Sequence, residues 1–236
     1  MGGNSTMVVR RCEKKFAIGP EDHVRLLQAF HTLLTPDVNG GEFGYTVRSV
    51  YFDTMSNTDY FDKIYKARVR KTIRLRTYNS DSSVTKLEIK YKWGENQVKK
   101  SVVISKEDAR ALIDRNWEVL LKYNDSTAFD GYQKLKAGVY RPVSFIQYDR
   151  RAFTHRDFNT RLTLDNHVLF SNESFNLFKP DLDFCTPVMT HNSVLEVKYE
   201  RFLLPFLQDL ILSCELLGKP ISKFGTSRRI VQRYYC

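Results

Sequence analysis

Apolar and polar residues alternate with a period of two through much of the middle of the chain, and this pattern predicts most of its elements. From Lys66 to Tyr78, Arg68, Arg70, Thr72, Arg74 and Arg76 fall on one side and Val69, Ile73 and Leu75 on the other. A period of two is the signature of a β-strand with two different faces, here with four arginines on one of them. The polar run Asn79 to Ser83 reads as a turn. Val84 to Lys92 then alternates again, with Lys86, Glu88, Lys90 and Lys92 opposite Thr85, Leu87, Ile89 and Tyr91, so the two segments read as a hairpin. Trp93 to Asn96 supplies the next turn. The strand Gln97 to Ile104 follows with neighbouring Lys99 and Lys100, only one of which can share the face of Arg74.

Further β-favouring segments lie at Arg11 to Ile18, Tyr45 to Phe52 with Asp53 at its end, Ser144 to Phe153, Thr160 to Asp165 and Ser193 to Tyr199. Helices interrupt them. Pro20-Glu21-Asp22 places a proline and two acids where a helix begins, predicting a helix to about Leu34. Ser105, with Asp108 three residues on, reads as an N-cap for a helix to about Arg115. Other helices are expected at Ser126 to Gly138, Pro205 to Leu217 and Ser227 to Tyr234, and Asp37 to Gly44 reads as a glycine-rich loop. The chain shows neither an internal repeat nor a low-complexity tract, so a single domain spanning 1–236 is expected. Strands and helices together predict an α+β fold.

Of 236 residues, 42% are hydrophobic and 13% aromatic, enough for a substantial core and too apolar for a disordered chain. Lysine and arginine number 37 against 27 acids, a formal charge of +10, which points to an anionic partner. No stretch approaches the roughly 18 apolar residues of a membrane span. The most apolar candidate, Phe202 to Leu217, contains Pro205, Gln208, Asp209 and Glu215 and reads as an amphipathic helix. Cys12, Cys185, Cys214 and Cys236 are scattered, without a Cys-x-x-Cys pair or a secretory leader, which favours free thiols and a cytoplasmic location. His23, His31, His155, His167 and His191 show no zinc-ligand spacing. P-loop and dinucleotide glycine motifs are absent, so an ATP site must be built without a glycine loop.

Two geometries accommodate strands with one apolar and one charged face. The charged faces are exposed on an antiparallel sheet, or the sheet closes into a barrel with a polar interior and helices outside. The arginine strand bears on this choice, because cations this close repel unless an anion joins them. Guanidinium groups present paired, planar donors to phosphate, and lysines add compact point charges. Single-stranded nucleic acid is disfavoured as partner, because the aromatics fall mostly on the apolar faces instead of forming exposed stacking platforms.

The ordered segments Arg11-Cys12-Glu13-Lys14-Lys15-Phe16, Ser49-Val50-Tyr51-Phe52-Asp53-Thr54, Ile73-Arg74-Leu75-Arg76-Thr77-Tyr78, Leu87-Glu88-Ile89-Lys90, Tyr148-Asp149-Arg150-Arg151-Ala152-Phe153, Arg161-Leu162-Thr163-Leu164-Asp165, Leu195-Glu196-Val197-Lys198 and Ser222-Lys223-Phe224 cover almost the whole chain. In this set the chain resembles the VTC domain, the polyphosphate polymerase branch of the CYTH-like triphosphate tunnel metalloenzymes. The resemblance implies a closed antiparallel β-barrel tunnel with helices outside. It also implies Mn²⁺ or Mg²⁺ as cofactor, ATP and inorganic polyphosphate as partners, and transfer of the ATP γ-phosphate to a growing chain.

Carried over by position, the resemblance implies Arg74, Arg76, Lys90, Arg150, Arg161 and Lys198 as catalytic cations. Lys15, Lys63, Lys99, Tyr148 and Lys223 would bind substrate. Glu196 would ligate the metal, with Glu13 and Glu88 as assistants. The broader tunnel pattern opens Glu-x-Glu-x-Lys, whereas Arg11 stands at its first position here, which favours the VTC branch. The chain carries none of the membrane helices or regulatory domain that accompany the fungal catalytic subunit, so a soluble synthase is expected. A tunnel triphosphatase and a non-catalytic polyphosphate-binding module are the alternatives, because the same cradle could activate water or merely hold the chain.

Overall fold

The structure is a computed structural model describing residues 11–40, 43–79, 83–94, 96–180, 185–187, 193–217 and 222–234. It confirms the α+β class. The strands are β1 (Arg11–Ile18), β2 (Thr35–Pro36), β3 (Tyr45–Asp53), β4 (Val69–Tyr78), β5 (Thr85–Trp93), β6 (Asn96–Ile104), β7 (Arg141–His155), β8 (Thr160–Ser171), β9 (Thr186–Pro187) and β10 (Ser193–Glu200). The helices are α1 (Pro20–Leu33), α2 (Thr58–Ile64), α3 (Lys106–Ile113), α4 (Ser126–Ala137), α5 (Pro205–Leu212) and α6 (Lys223–Tyr234). The chain divides into two compact units, the first made of Met1–Tyr45, Asp149–Asn166 and Met189–Ile221 and the second of Thr46–Tyr148, His167–Val188 and Ser222–Cys236. Several segments read from the sequence lie partly outside the described residues: the turn through Ser80 to Ser82, Glu95, Gly41 and Glu42, Cys236, and the side chain of Arg11.

In the first unit β10 pairs antiparallel with β1 and with β8, setting Lys15 opposite Glu196 and Glu196 opposite Thr163. Alternation then splits these strands. Leu162, Leu164, Leu195 and Val197 turn toward Leu26 and Phe30 of α1 and Leu207 and Ile211 of α5 in one buried cluster. Glu13, Lys15, Arg161, Thr163, Glu196 and Lys198 lie on the opposite face. Helix α1 starts at Pro20 with Glu21 and Asp22 in its first turn, where proline lacks only a donor that the helix cannot use and acids meet the positive end of the helix dipole.

Helix α5 ends five residues before the predicted Leu217. The reason is a competing partner: the Leu217 amide donates to the Ala17 carbonyl at 2.8 Å and Leu216 bridges Ile18, drawing the chain out beside β1. Gly44, at φ +79°, sits so close to β7 that an added Cβ would lie 2.3 Å from the Arg150 carbonyl oxygen. A side chain there is excluded both by space and by the left-handed backbone.

In the second unit β3, β4, β5 and β6 form an antiparallel run in which Arg74 lies opposite Tyr51 on one side and Glu88 on the other, and Glu88 lies opposite Ser101. Val50, Phe52, Ile73, Leu75, Leu87, Ile89, Val102 and Ile104 turn the other way and pack with Leu112, Trp117, Leu120, Ala128 and Leu135. The Ser105 hydroxyl accepts from the Asp108 amide at 3.0 Å to open α3, as the sequence predicts. At α4 the Asp125 carboxylate accepts from the amides of Thr127 and Ala128 at 2.7 and 3.2 Å. Strand β4 begins at Val69, so Arg68 precedes it and three arginines, not four, stand on the strand face.

Helix α2 is absent from the sequence reading. Its position is fixed by Asp53, fully buried, whose carboxylate accepts from the amides of Thr54, Asp59 and Tyr60 at 2.8, 2.9 and 3.0 Å. The polar run Ser56-Asn57-Thr58-Asp59 after a strand-terminal aspartate is the start signal that could have revealed it.

Candidate functional site

The charged face of the second unit is organised around one buried carboxylate. Glu88 is 2% exposed. The Arg74 guanidinium reaches its Oε2 through Nε at 2.7 Å and Nη2 at 2.6 Å. Arg76 Nη1 stands 3.9 Å from the same oxygen, and the Lys99 ammonium contacts Oε1. Arg74 Nη1 also donates to the Tyr51 hydroxyl at 2.9 Å. Arg76 donates to Ser49 and to the Tyr148 hydroxyl, each at 3.4 Å.

Helix α6 closes the arrangement. Lys223 at its first position lies over the Tyr148 ring at 4.4 Å. Phe224, next in sequence, stacks on Tyr51 with centroids 4.7 Å apart, and Lys63 of α2 lies over Phe224 at 5.4 Å. Thus Arg74, Arg76, Lys99, Tyr148, Lys63 and Lys223, nominated from separate segments, are brought together in one unit. Lys90 stands on the same strand face, opposite Thr72 and Lys99.

Cations dominate the electrostatics here. Burial alone would raise the Glu88 carboxyl, but Arg74, Arg76 and Lys99 outweigh it and hold the group down at about 2. Tyr51 behaves likewise: burial would raise its hydroxyl, yet Arg74, Arg76 and Lys63 pull it down to about 8. Tyr51 was not among the residues nominated from sequence. Its position opposite Arg74 on the neighbouring strand is a fact of register, which no single sequence displays.

The first unit has a different balance. Glu196, 5% exposed, has Lys15 at 3.4 Å and Arg150 at 3.9 Å from Oε2, and Lys198 contacts its Oε1. Glu13 joins Lys15 at 3.0 Å. Arg150 is clamped in bidentate fashion by Asp165, at 2.7 and 2.8 Å. Arg161 donates to Asp37 at 2.8 Å and to the Tyr45 hydroxyl at 3.2 Å. Burial raises the Glu196 carboxyl and is overcome by Lys15, Lys198 and Arg150, so it lies far below the ordinary range. The Thr163 hydroxyl, beside Glu196 in register, is buried without a hydrogen-bond partner among the described residues.

The four nominated cations of this unit, Lys15, Arg150, Arg161 and Lys198, are therefore matched by Glu13, Glu196, Asp165 and Asp37. In the second unit Glu88 faces Arg74, Arg76 and Lys99, and among the described residues of β4, β5 and β6 no other acid shares that face. The excess positive charge lies on the second unit's face.

Among the described residues no cluster of three or more histidine, cysteine or acidic side chains is placed to hold a metal. Glu196 and Glu13 nevertheless share a face and are linked through Lys15. A Mg²⁺-type cation often takes only one or two carboxylates and completes its shell with water and phosphate oxygens. Glu196 and Glu13 supply carboxylates of that donor type, and in this structure their oxygens contact Lys15, Arg150 and Lys198.

In each unit the strands carry an apolar face under helices and, on the other side, a charged face of guanidinium, ammonium and buried carboxylate groups. The model of the VTC domain matches residues 10–232, nearly the whole length, and the chain belongs to the VTC domain family. Among solved structures, a Bacillus halodurans protein carrying the provisional name adenylate cyclase shares the fold, with a TM-score of 0.54, 14% identity, and coverage of 95% of this chain and 96% of that one. A Pyrococcus horikoshii protein aligns with a TM-score of 0.48 and 12% identity, over 93% of this chain and 99% of its own. No curated protein sequence gives a match. Cys12, Cys185 and Cys214 are free thiols, and among the described residues no helix is long and apolar enough to cross a membrane.

Proposed function

We propose that the chain is a metal-dependent polyphosphate polymerase that transfers the γ-phosphate of ATP to a growing polyphosphate chain and releases ADP. The observation that carries this reading is the second unit's charged face, where Arg74 and Arg76 are held ready on neighbouring positions of one strand by Glu88, Tyr51, Ser49 and Tyr148. Fixed donors of this kind suit phosphoryl transfer, which needs in-line positioning and charge neutralisation more than covalent chemistry.

In this reading Arg74, Arg76, Lys90 and Lys99 hold phosphate oxygens, with Lys63, Tyr148 and Lys223 supporting them. Lys15, Arg150, Arg161 and Lys198 serve the same purpose in the first unit. The terminal oxygen of the acceptor chain attacks the γ-phosphorus. One P–O bond forms as the bond to the bridging oxygen breaks, and the electron pair leaves on ADP. An ionised acceptor needs no base, so no protein group has to take a proton. Mn²⁺ or Mg²⁺, when bound, would offset phosphate charge, and Glu196 with Glu13 would hold it. The closed barrel implied by the resemblance belongs to this proposal.

Incubation of the protein with γ-labelled ATP and Mn²⁺, followed by separation of products by length, tests the proposal. Labelled long-chain product supports it. Labelled orthophosphate alone makes the chain a triphosphatase, and tight binding without turnover makes it a binding module; either overturns the polymerase reading.

A further inference from the structure

Strands β4, β5 and β6 run on past the core that they help to build. Ile73, Leu87 and Ile89 are fully buried, whereas Val69, Trp93 and Val98 on the same apolar face are 71%, 43% and 41% exposed. The strand ends therefore project beyond the helices that cover the rest of this face. On the opposite, charged face, successive cross-strand rows read Arg76 and Lys86, then Arg74, Glu88 and Ser101, then Thr72, Lys90 and Lys99, then Arg70, Lys92 and Gln97.

The last two rows hold four cations and no carboxylate, and they begin where the carboxylate-centred row ends. At about 3.4 Å per residue, the distance along β4 from Arg76 to Arg70 is roughly 20 Å. Arg70 is fixed by a hydrogen bond from its Nη1 to the Ala67 carbonyl at 2.9 Å. Cations spaced this closely on one face repel one another, and a linear polyanion lying across them removes that repulsion at every row. A single phosphate cannot span the rows.

We propose that Arg70 and Lys92 form an outer subsite for linked phosphates, continuing past Lys90 and Lys99 and gripping the part of a phosphate chain that extends beyond the groups held at Arg74 and Arg76. The inference rests on the phosphate-chain reading above and adds a consequence to it. Ligands long enough to reach the outer rows gain contacts through the linkage itself, so affinity rises with chain length.

The test compares tripolyphosphate with long-chain polyphosphate on wild-type protein and on the double variant Arg70→Gln, Lys92→Gln, using titration calorimetry at several salt concentrations. Both positions lie on the projecting strand ends, and a thermal melt confirms that the variant is folded. Tripolyphosphate affinity is expected to stay within about two-fold. Long-chain affinity is expected to fall about ten-fold or more, with a salt-dependence slope shallower by about one to two, as counterion release requires when two phosphate contacts are lost.

Equal loss for both ligands, or no loss for either, overturns the subsite while leaving the proposed function standing. Loss of single-stranded RNA binding with long-chain polyphosphate unaffected also overturns it and assigns the face to nucleic acid. Wild-type protein that binds neither phosphate ligand overturns the subsite and the proposed function together.

Discussion

Arg74 and Glu88 face each other across β4 and β5, and the guanidinium holds a single carboxylate oxygen through two nitrogens at 2.7 and 2.6 Å. Glu88 thus neutralises part of a cationic face when no phosphate is present. Removing a partner from a buried ion pair leaves uncompensated charge and costs about 3–5 kcal/mol. Glu88→Gln is therefore expected to melt on the order of 10 °C lower than wild type. Because phosphate can take over the lost neutralisation, tripolyphosphate should raise the melting temperature of the variant more than that of wild type. A larger rise for wild type would refute this role.

Acid stability follows from the same carboxylate. Its folded-state value of about 2 lies below the ordinary 4.5, so the pair's stabilisation is complete above the unfolded value. It is lost as pH falls from about 5 through about 2, where the unfolded chain binds the proton first. Glu196 is depressed in the same direction and adds to the trend. Melting temperature plotted from pH 6 to pH 3 should fall less steeply in Glu88→Gln than in wild type, and parallel curves would count against the assignment.

Tyr51 predicts an alkaline limb. Its hydroxyl, pulled down to about 8, faces Arg74 and Arg76 of β4 and Lys63 of α2, with Phe224 of α6 stacked on its ring and Glu88 of β5 and Tyr148 of β7 acting through the arginines. As pH rises through that value the phenolate forms, adds a negative charge beside Arg74 and weakens phosphate binding. Tyr51→Phe keeps the stacking and removes the titration. Tripolyphosphate affinity should fall several-fold between about pH 7 and pH 9 in wild type and stay nearly flat in the variant; the same fall in both would exclude Tyr51.

Glu196 separates turnover from binding. If it holds the metal, Glu196→Ala should lower turnover of ATP by about 100-fold or more while leaving polyphosphate affinity within a few-fold. Activity equal to wild type would remove the metal assignment. A parallel loss of activity and binding would mark Glu196 as a fixer of Lys15 and Lys198 instead.

Much of this was legible in the sequence because alternation reports faces directly. The strands Val69–Tyr78 and Thr85–Trp93 show their two faces in the residue order, and the Ser105 cap announces α3. What the sequence hides is register and competition. Neither the placement of Tyr51 beside Arg74 nor the engagement of Arg161 by Asp37 follows from spacing, since each joins segments through pairing or through a loop. Helix α2 was missed because its seven residues carry too little apolar periodicity, and its anchor Asp53 belongs to the preceding strand. The length of α5 was overestimated because the extended path beside β1 wins over local helix propensity.

The arginine pair of β4 tests the central claim most directly. Calorimetric titration of tripolyphosphate into wild type and into Arg74→Ala and Arg76→Ala should show each variant weakened by about 10- to 100-fold, the worth of a lost charge-assisted contact. Each variant's fold is checked by its melt. Affinities indistinguishable from wild type in both folded variants would contradict the account.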